Sequence, residues 1–385
     1  MSWRLTAADL PDLARGATLL GTGGGGDPYI GEMLVERVLG GGSITILDPD
    51  ELADDLFVIP TAQMGAPTVM VEKIPAGTEP TLSLRILEDH LGRRADATMP
   101  IECGGINSMI PLVVAAETGL PVVDADGMGR AFPELSMETF AVYGVHGSPL
   151  ALAGERGERV IIDTGDDDRQ MEWLARAITI RLGGVGHIAE YAMSGADVRR
   201  TAVPRTISMA LALGRSIRLA REQHRSPFEA IAETLAPTLY SHVRELFVGK
   251  VTDVERRTTD GFAKGRAVIS PLDPADGGTF EISFQNENLI ARRDGEVVAI
   301  VPDLICVVDH ESAEPITTEG LRYGQRVRVL GISTPEMMRT PAALAAFGPT
   351  AFGLSEPFVP VEHVPVERIP VEHVPVERSA EAARV

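Results

Sequence analysis

At 385 residues, with 44% hydrophobic and 23% charged side chains, the chain exceeds the size of one simple core and has the composition of a globular protein. A formal charge of -20 excludes nucleic acid and anionic membrane as expected partners, because both reward lysine and arginine. Two cysteines, Cys103 and Cys306, cannot build a disulfide framework; with no leader-like start and no run of about 18 apolar residues, the chain reads as cytoplasmic.

Thr6 is placed to cap a helix over Ala7–Leu20, with Asp9 in its first turn. That helix ends at Gly21-Thr22-Gly23-Gly24-Gly25-Gly26-Asp27-Pro28-Tyr29, and a second helix is predicted from Pro28 to Leu39. Short apolar runs at Ser43–Leu47, Leu56–Ile59, Ala97–Ile101 and Pro121–Val123 predict buried strands, with helices at Leu82–Gly92 and Ile110–Gly119 between the later ones. The alternation predicts an N-terminal three-layer α/β domain over residues 1–153 with a mixed or parallel sheet.

Residues 154–245 continue with a strand at Val160–Asp163 and helices at Arg169–Leu182, Pro204–Gln223 and Ser226–Leu235. From Leu246 the pattern changes to short alternating segments at Ala267–Ile269, Phe280–Phe284, Glu296–Val301 and Arg326–Val329, which predict a smaller β-rich C-terminal module over 246–340. A return segment, 341–358, precedes the only internal repeat, four pentapeptides of the form Val/Ile-Pro-Val-Glu-His/Arg from Val359 to Arg378. Proline at every fifth residue forbids a regular helix or a central strand, so residues 359–385 are expected to be extended or disordered.

Chemistry concentrates at Pro100-Ile101-Glu102-Cys103-Gly104-Gly105-Ile106-Asn107-Ser108, where a carboxylate, a thiol and an amide surround two glycines. Glycines beside a thiol let the backbone bend and a ligand approach the sulfur. The Gly21–Asp27 run lacks the Gly-Lys-Ser/Thr ending of a P-loop and follows a helix, not a strand, so it fits substrate binding better than nucleotide binding. Thr22, Gly23, Gly24, Gly25 and Asp27 are the candidate cradle there, at the start of the next helix.

Asp124 and Asp126 follow a buried strand directly, beside Arg130, and two acids at that spacing suit metal ligation or general acid/base work. His146 is expected between glycines after a strand, and His187 at a glycine-rich helix break. Cys103, His146 and His187 form one candidate ligand set for a divalent metal, zinc by softness. The competing chemistry is a Cys–His nucleophile pair oriented by Asp124 or Asp126.

In this order the chain carries Leu20-Gly21-Thr22-Gly23-Gly24-Gly25-Gly26-Asp27-Pro28, Met64-Gly65-Ala66-Pro67-Thr68-Val69, Glu102-x-Gly104-Gly105-x-Asn107 and Val123-Asp124-Ala125-Asp126-Gly127-Met128-Gly129-Arg130-Ala131-Phe132-Pro133-Glu134. Over roughly Leu5 to Leu354 it resembles the S-methyl thiohydantoin desulfurase family, with Met193-Ser194-Gly195, Pro302-Asp303-Leu304-Ile305 and Leu321-Arg322-Tyr323-Gly324 fitting the C-terminal part. The resemblance implies hydrolysis at C2 of an S-methylated thiohydantoin, releasing methanethiol and leaving a hydantoin. On that expectation Cys103, Asp124, Asp126 and Glu102 are the catalytic candidates. Thr22, Gly23, Gly24, Gly25, Asp27, Asn107 and Arg130 would bind substrate, and Cys103, His146 and His187 would hold a zinc-bound hydroxide. The expected partners are a small-molecule substrate and further copies of the chain. The alternatives are another hydantoin-related hydrolase or isomerase, or a non-catalytic small-molecule-binding subunit.

Overall fold

The computed structural model describes residues 1–65, 69, 76–259, 262–273 and 277–364. All four apolar runs predicted in the N-terminal part become neighbouring parallel strands. Ser43–Leu47, Val122–Val123, Ala97–Met99 and Phe57–Gly65 lie side by side in that order. Strands covered on both faces read as near-continuous apolar runs, as in Phe57–Gly65, Ala97–Met99 and Val122–Val123, while Ser43–Leu47 is fully buried only at alternate residues. Trp3–Thr6 adds an antiparallel edge beside Ser43–Leu47. Beyond Phe57–Gly65 the sheet continues antiparallel through Val185–Ala189, Leu150–Ala153 and Arg159–Ile162, so it is mixed.

The helices follow their sequence signals closely. Asp9 accepts from both the backbone N–H and the hydroxyl of Thr6, and a turn of 3-10 helix over Ala7–Asp9 leads into the α-helix Leu10–Leu20. That helix packs unusually close to the long helix Thr206–Glu222. A Cβ on Gly16 would lie 1.7 Å from the Ala210 carbonyl oxygen, and one on Gly214 the same distance from that of Asp12. The second helix runs from Pro28 to Leu39 as predicted, capped by Asp27, whose carboxylate accepts from the Tyr29 N–H at 2.9 Å. Among the described residues no helix is long and apolar enough to cross a membrane.

The C-terminal module is a seven-stranded antiparallel sheet. Its spatial order is Glu296–Ile300, Glu287–Arg293, Phe280–Gln285, Phe262–Pro271, Val243–Thr259, Arg326–Ile332 and Leu304–Asp309. Where short strands were expected from Leu246, one strand of 17 residues, Val243–Thr259, runs through the sheet with two register shifts. Its outer half, Val-Glu-Arg-Arg-Thr-Thr, is too polar to announce itself by apolar alternation. One hydrophobic core includes Leu20 and Val123 with Leu304, Ile332 and Phe347, so both sheets contribute to it.

Arg130, expected to meet substrate, is fully buried and spans the junction instead. Its guanidinium donates to the Thr22 hydroxyl at 2.7 Å, and to the carbonyls of Asn288, Asp303, Pro302 and Ala131 at 3.0 to 3.2 Å. The repeat tail also departs from expectation at its start. Val361–His363 forms a 3-10 turn, and buried Val361 donates its N–H to Asp303 at 2.7 Å. The later repeats lie outside the described residues.

Replacing Arg130 with Met would strand several buried acceptors at once. Arg130→Met is expected to lower stability by on the order of 3 kcal/mol or more, read as a reduced urea midpoint. A midpoint unchanged from wild type would show that the guanidinium does not tie the two parts together.

Candidate active site

The site begins where the parallel strand Ala97–Met99 ends, the position at which open α/β sheets present ligands. The chain turns through Glu102–Gly104 into a 3-10 turn, Gly105–Ser108, and then into the helix Ile110–Thr118. The two glycine runs seen in the sequence interlock here. Ile106 donates its N–H to the Gly25 carbonyl at 2.8 Å, and a Cβ on Gly105 would fall 2.3 Å from that same oxygen. Gly105 has φ +51° and Gly25 +78°, so both need the left-handed region as well as the space. On its other side the glycine-rich turn is held by the β module: Asn288 donates to the Thr22 carbonyl at 2.9 Å and Thr318 to that of Gly23 at 2.7 Å.

Between these turns lies a small cleft of about 70 Å³, open at its mouth. Gly25 and Gly26 line it with Gln63, Glu102, Asn107, Phe132, Leu135, Arg176 and Glu287. Asn107 organises one wall. It donates to Glu102 Oε1 at 2.7 Å and to the Gln63 carbonyl at 3.1 Å, and accepts from the Gln63 N–H at 2.8 Å. The Asn107 side chain thereby locks Glu102 to the strand Phe57–Gly65.

Four buried polar atoms on this cleft have no partner within the described protein: Glu102 Oε2, Glu287 Oε2, and both Nε2 and Oε1 of Gln63. Buried polar groups are nearly always paired, so such a convergence marks a place built for a ligand. Burial pushes the Glu102 carboxyl up to about 8; the Asn107 bond pulls it down and the nearby Asp126 raises it further. Burial also pushes Glu287 well above the carboxylate range, with Glu102 adding to the shift and Arg130 opposing it. Perturbed carboxyl groups in a cleft are candidates for acid/base work.

The remaining sequence candidates occupy other places. Asp126 shapes its own turn, accepting from the N–H groups of Gly129, Met128 and Cys103, and burial lifts it to about 7. Asp124 receives the Ser208 N–H at 3.0 Å, at the N-terminus of the helix Thr206–Glu222. The two acids are thus engaged separately. Gly24 packs under the Glu287 carboxylate, and Asp27 caps a helix.

The Cys103 thiol donates to the Thr206 carbonyl at 3.4 Å and is absent from the cleft wall; burial, reinforced by Asp126 and Asp124, pushes it well above its usual range. His187 lies on the strand Val185–Ala189, not at a helix break, and burial lowers its imidazole to about 4. His146 follows the short helix Thr139–Val142 instead of a strand, and its half-exposed ring contacts Asp168 at 3.1 Å. The expected Cys103, His146 and His187 ligand set therefore does not assemble. Among the described residues no group of three or more His, Cys, Asp and Glu is placed to hold a metal ion.

Gln63 and Glu287 escape sequence reasoning. Gln63 sits in a mostly apolar strand, and Glu287 in Asn286-Glu287-Asn288, a buried polar triplet that opens the strand Glu287–Arg293. A polar triplet where the alternation predicts apolar positions was the available signal.

Residues 8–164 match the S-Me-THD-like, N-terminal domain family, and residues 166–361 match the S-Me-THD-like, C-terminal domain family. A crystal structure of a protein from Chromobacterium violaceum is similar throughout: TM-score 0.79, 25% sequence identity, 93% of this chain and 100% of that one covered. No curated protein matches the sequence. With both parts matched, and with the glycine, Glu102-x-Gly104-Gly105-x-Asn107 and Asp124–Glu134 segments meeting around one cleft and its supporting junction, the chain belongs to the S-Me-THD-like family, that of the S-methyl thiohydantoin desulfurases.

Proposed function

We propose that the protein is a hydrolase that removes methanethiol from an S-methyl thiohydantoin, leaving a hydantoin. One observation carries this reading: on a single cleft, a carboxylate oxygen of Glu102 and the carboxamide of Gln63 both lack a partner among the described residues. A carboxamide offers one donor edge and one acceptor edge. The N–H and C=O of a five-membered cyclic amide are the matching pair, and Gln63 would bind that edge of the ring. Met64, Ile106, Phe132 and Leu135 supply apolar walls for the ring faces.

The reaction needs a base for water. Glu102, held by Asn107, takes a proton from water as its oxygen adds to C2. The C2–O bond forms, the C2–S bond breaks, and methanethiol departs with a proton on sulfur. C2 keeps the added oxygen as a hydroxyl whose proton moves to the ring nitrogen, giving the hydantoin. Because Glu102 must be ionised to act, and burial holds it at about 8, turnover is expected to rise with pH through that value.

Glu102→Gln is expected to reduce methanethiol release at least about 100-fold, whereas Cys103→Ser retains turnover within about threefold; both are read with a chromogenic thiol reagent. Full turnover by the Glu102 variant, or loss in a folded Cys103 variant, would overturn this assignment. The same carboxyl makes a prediction about stability. Its folded pKa lies above the ordinary 4.5, so its contribution is fully present below about pH 4.5 and lost as pH rises through about 8. Thermal unfolding of Glu102→Gln should therefore gain on wild type steadily from pH 5 to 8.

A further inference from the structure

The second unpaired carboxylate of the cleft has a role that its surroundings define. Glu287 opens the strand Glu287–Arg293 of the β module and is 2% exposed. It is brought to the cleft by the junction: Asn288 donates to Thr22, and Arg130 donates to the Asn288 carbonyl. Its Oε1 lies where a Cβ on Gly24 would be only 2.0 Å away, so the glycine at 24 leaves room for the carboxylate. Among the described residues its Oε2 has no hydrogen-bond partner, as is true of Glu102 Oε2 on the same cleft.

We infer that Glu287 is a further catalytic residue, the acid that gives its proton to the departing sulfur while Glu102 accepts one from water. The assignment rests on the hydrolase reading above. The charged groups facing Glu287 are Glu102, Arg130 and Glu319. Two buried acids on one cleft beside one guanidinium cannot both ionise easily, so one proton stays with the pair. Burial and the charge on Glu102 raise Glu287 well above its ordinary range, beyond what Arg130 offsets, and Glu319 adds to the rise. Asn107 donates to Glu102 and so favours its ionised form, which assigns the shared proton to Glu287.

The step balances without any other reactant. Glu102 gains a proton from water, hydroxide oxygen bonds to C2, and the C2–S bond breaks as Glu287 protonates sulfur. The hydroxyl proton left on C2 shifts to the ring nitrogen, and Glu102 then passes its proton to Glu287, restoring the pair.

An acid matters in proportion to the basicity of the group it protonates. The test compares S-methyl and S-trifluoroethyl thiohydantoins, the second releasing a much less basic thiolate. Glu287→Gln is expected to lose at least about 100-fold in kcat/KM on the S-methyl substrate and less than about tenfold on the S-trifluoroethyl one. Glu102→Gln should lose activity on both. An S-methyl rate unchanged in Glu287→Gln, or an equal loss on both substrates in a variant with wild-type thermal unfolding, overturns the assignment.

A wild-type protein releasing thiol from neither substrate overturns the hydrolase reading instead. The ligand-free infrared difference between wild type and Glu287→Gln at pH 7 then judges the pair. A protonated carboxyl band lost in the variant supports the shared proton, and its absence from wild type refutes it.

Discussion

The buried guanidinium of Arg130 is the constraint on which the site depends. One side chain from the loop after the parallel sheet reaches the Thr22 hydroxyl of the glycine-rich turn and three carbonyls of the β module. Arginine is suited to this because its planar fork carries five donors and remains charged when buried. Its partners here are mostly neutral oxygens, and the acids Glu287, Asp303 and Glu102 stand nearby. The cleft exists because this junction holds Glu287 opposite a wall built from Glu102, Asn107 and Gln63.

Close backbone contact is the second condition. The Gly25 and Gly105 turns meet with no room for side chains, and the helices carrying Gly16 and Gly214 approach similarly. Such contacts place rigid backbone, not flexible side chains, around the cleft. That rigidity suits a site whose work is to hold a small ring between a carboxamide and a carboxylate.

The distribution of buried acids separates shape from chemistry. Asp126 and Asp124 are buried as deeply as the cleft acids, yet they spend their oxygens on backbone N–H groups and so fix turns and a helix end. Glu102 spends one oxygen on Asn107, and its other oxygen, like Oε2 of Glu287, has no partner among the described residues. Glu138 and Glu190 form another buried acid pair whose carboxylate oxygens have no partner among the described residues, and burial together with their mutual repulsion raises Glu138 well above the usual range. These two do not line the cleft. Burial alone is therefore a poor guide to role, and what each oxygen touches is a better one.

The sequence by itself determined the elements whose signals are local. The helix Pro28–Leu39 is bounded by an aspartate cap and a left-handed Gly40, and the four parallel strands are apolar runs, because capping and two-sided burial act over a few residues. It also singled out Glu102, Asn107 and the glycine run as a chemical neighbourhood. The polar half of Val243–Thr259, and strands such as Val185–Ala189 whose glycine and histidine obscure the pattern, carried no comparable local signal. Only the tertiary structure decided that the Cys103 thiol turns to the Thr206 carbonyl, that Cys103, His146 and His187 form no common ligand set, and that Arg130 is a tether. It alone brought Gln63 and Glu287 to Glu102, since those positions are far apart in the chain and their meeting is set by sheet order and by the junction. Residue type and spacing report what a segment can do locally; which oxygen is left without a partner depends on everything packed around it.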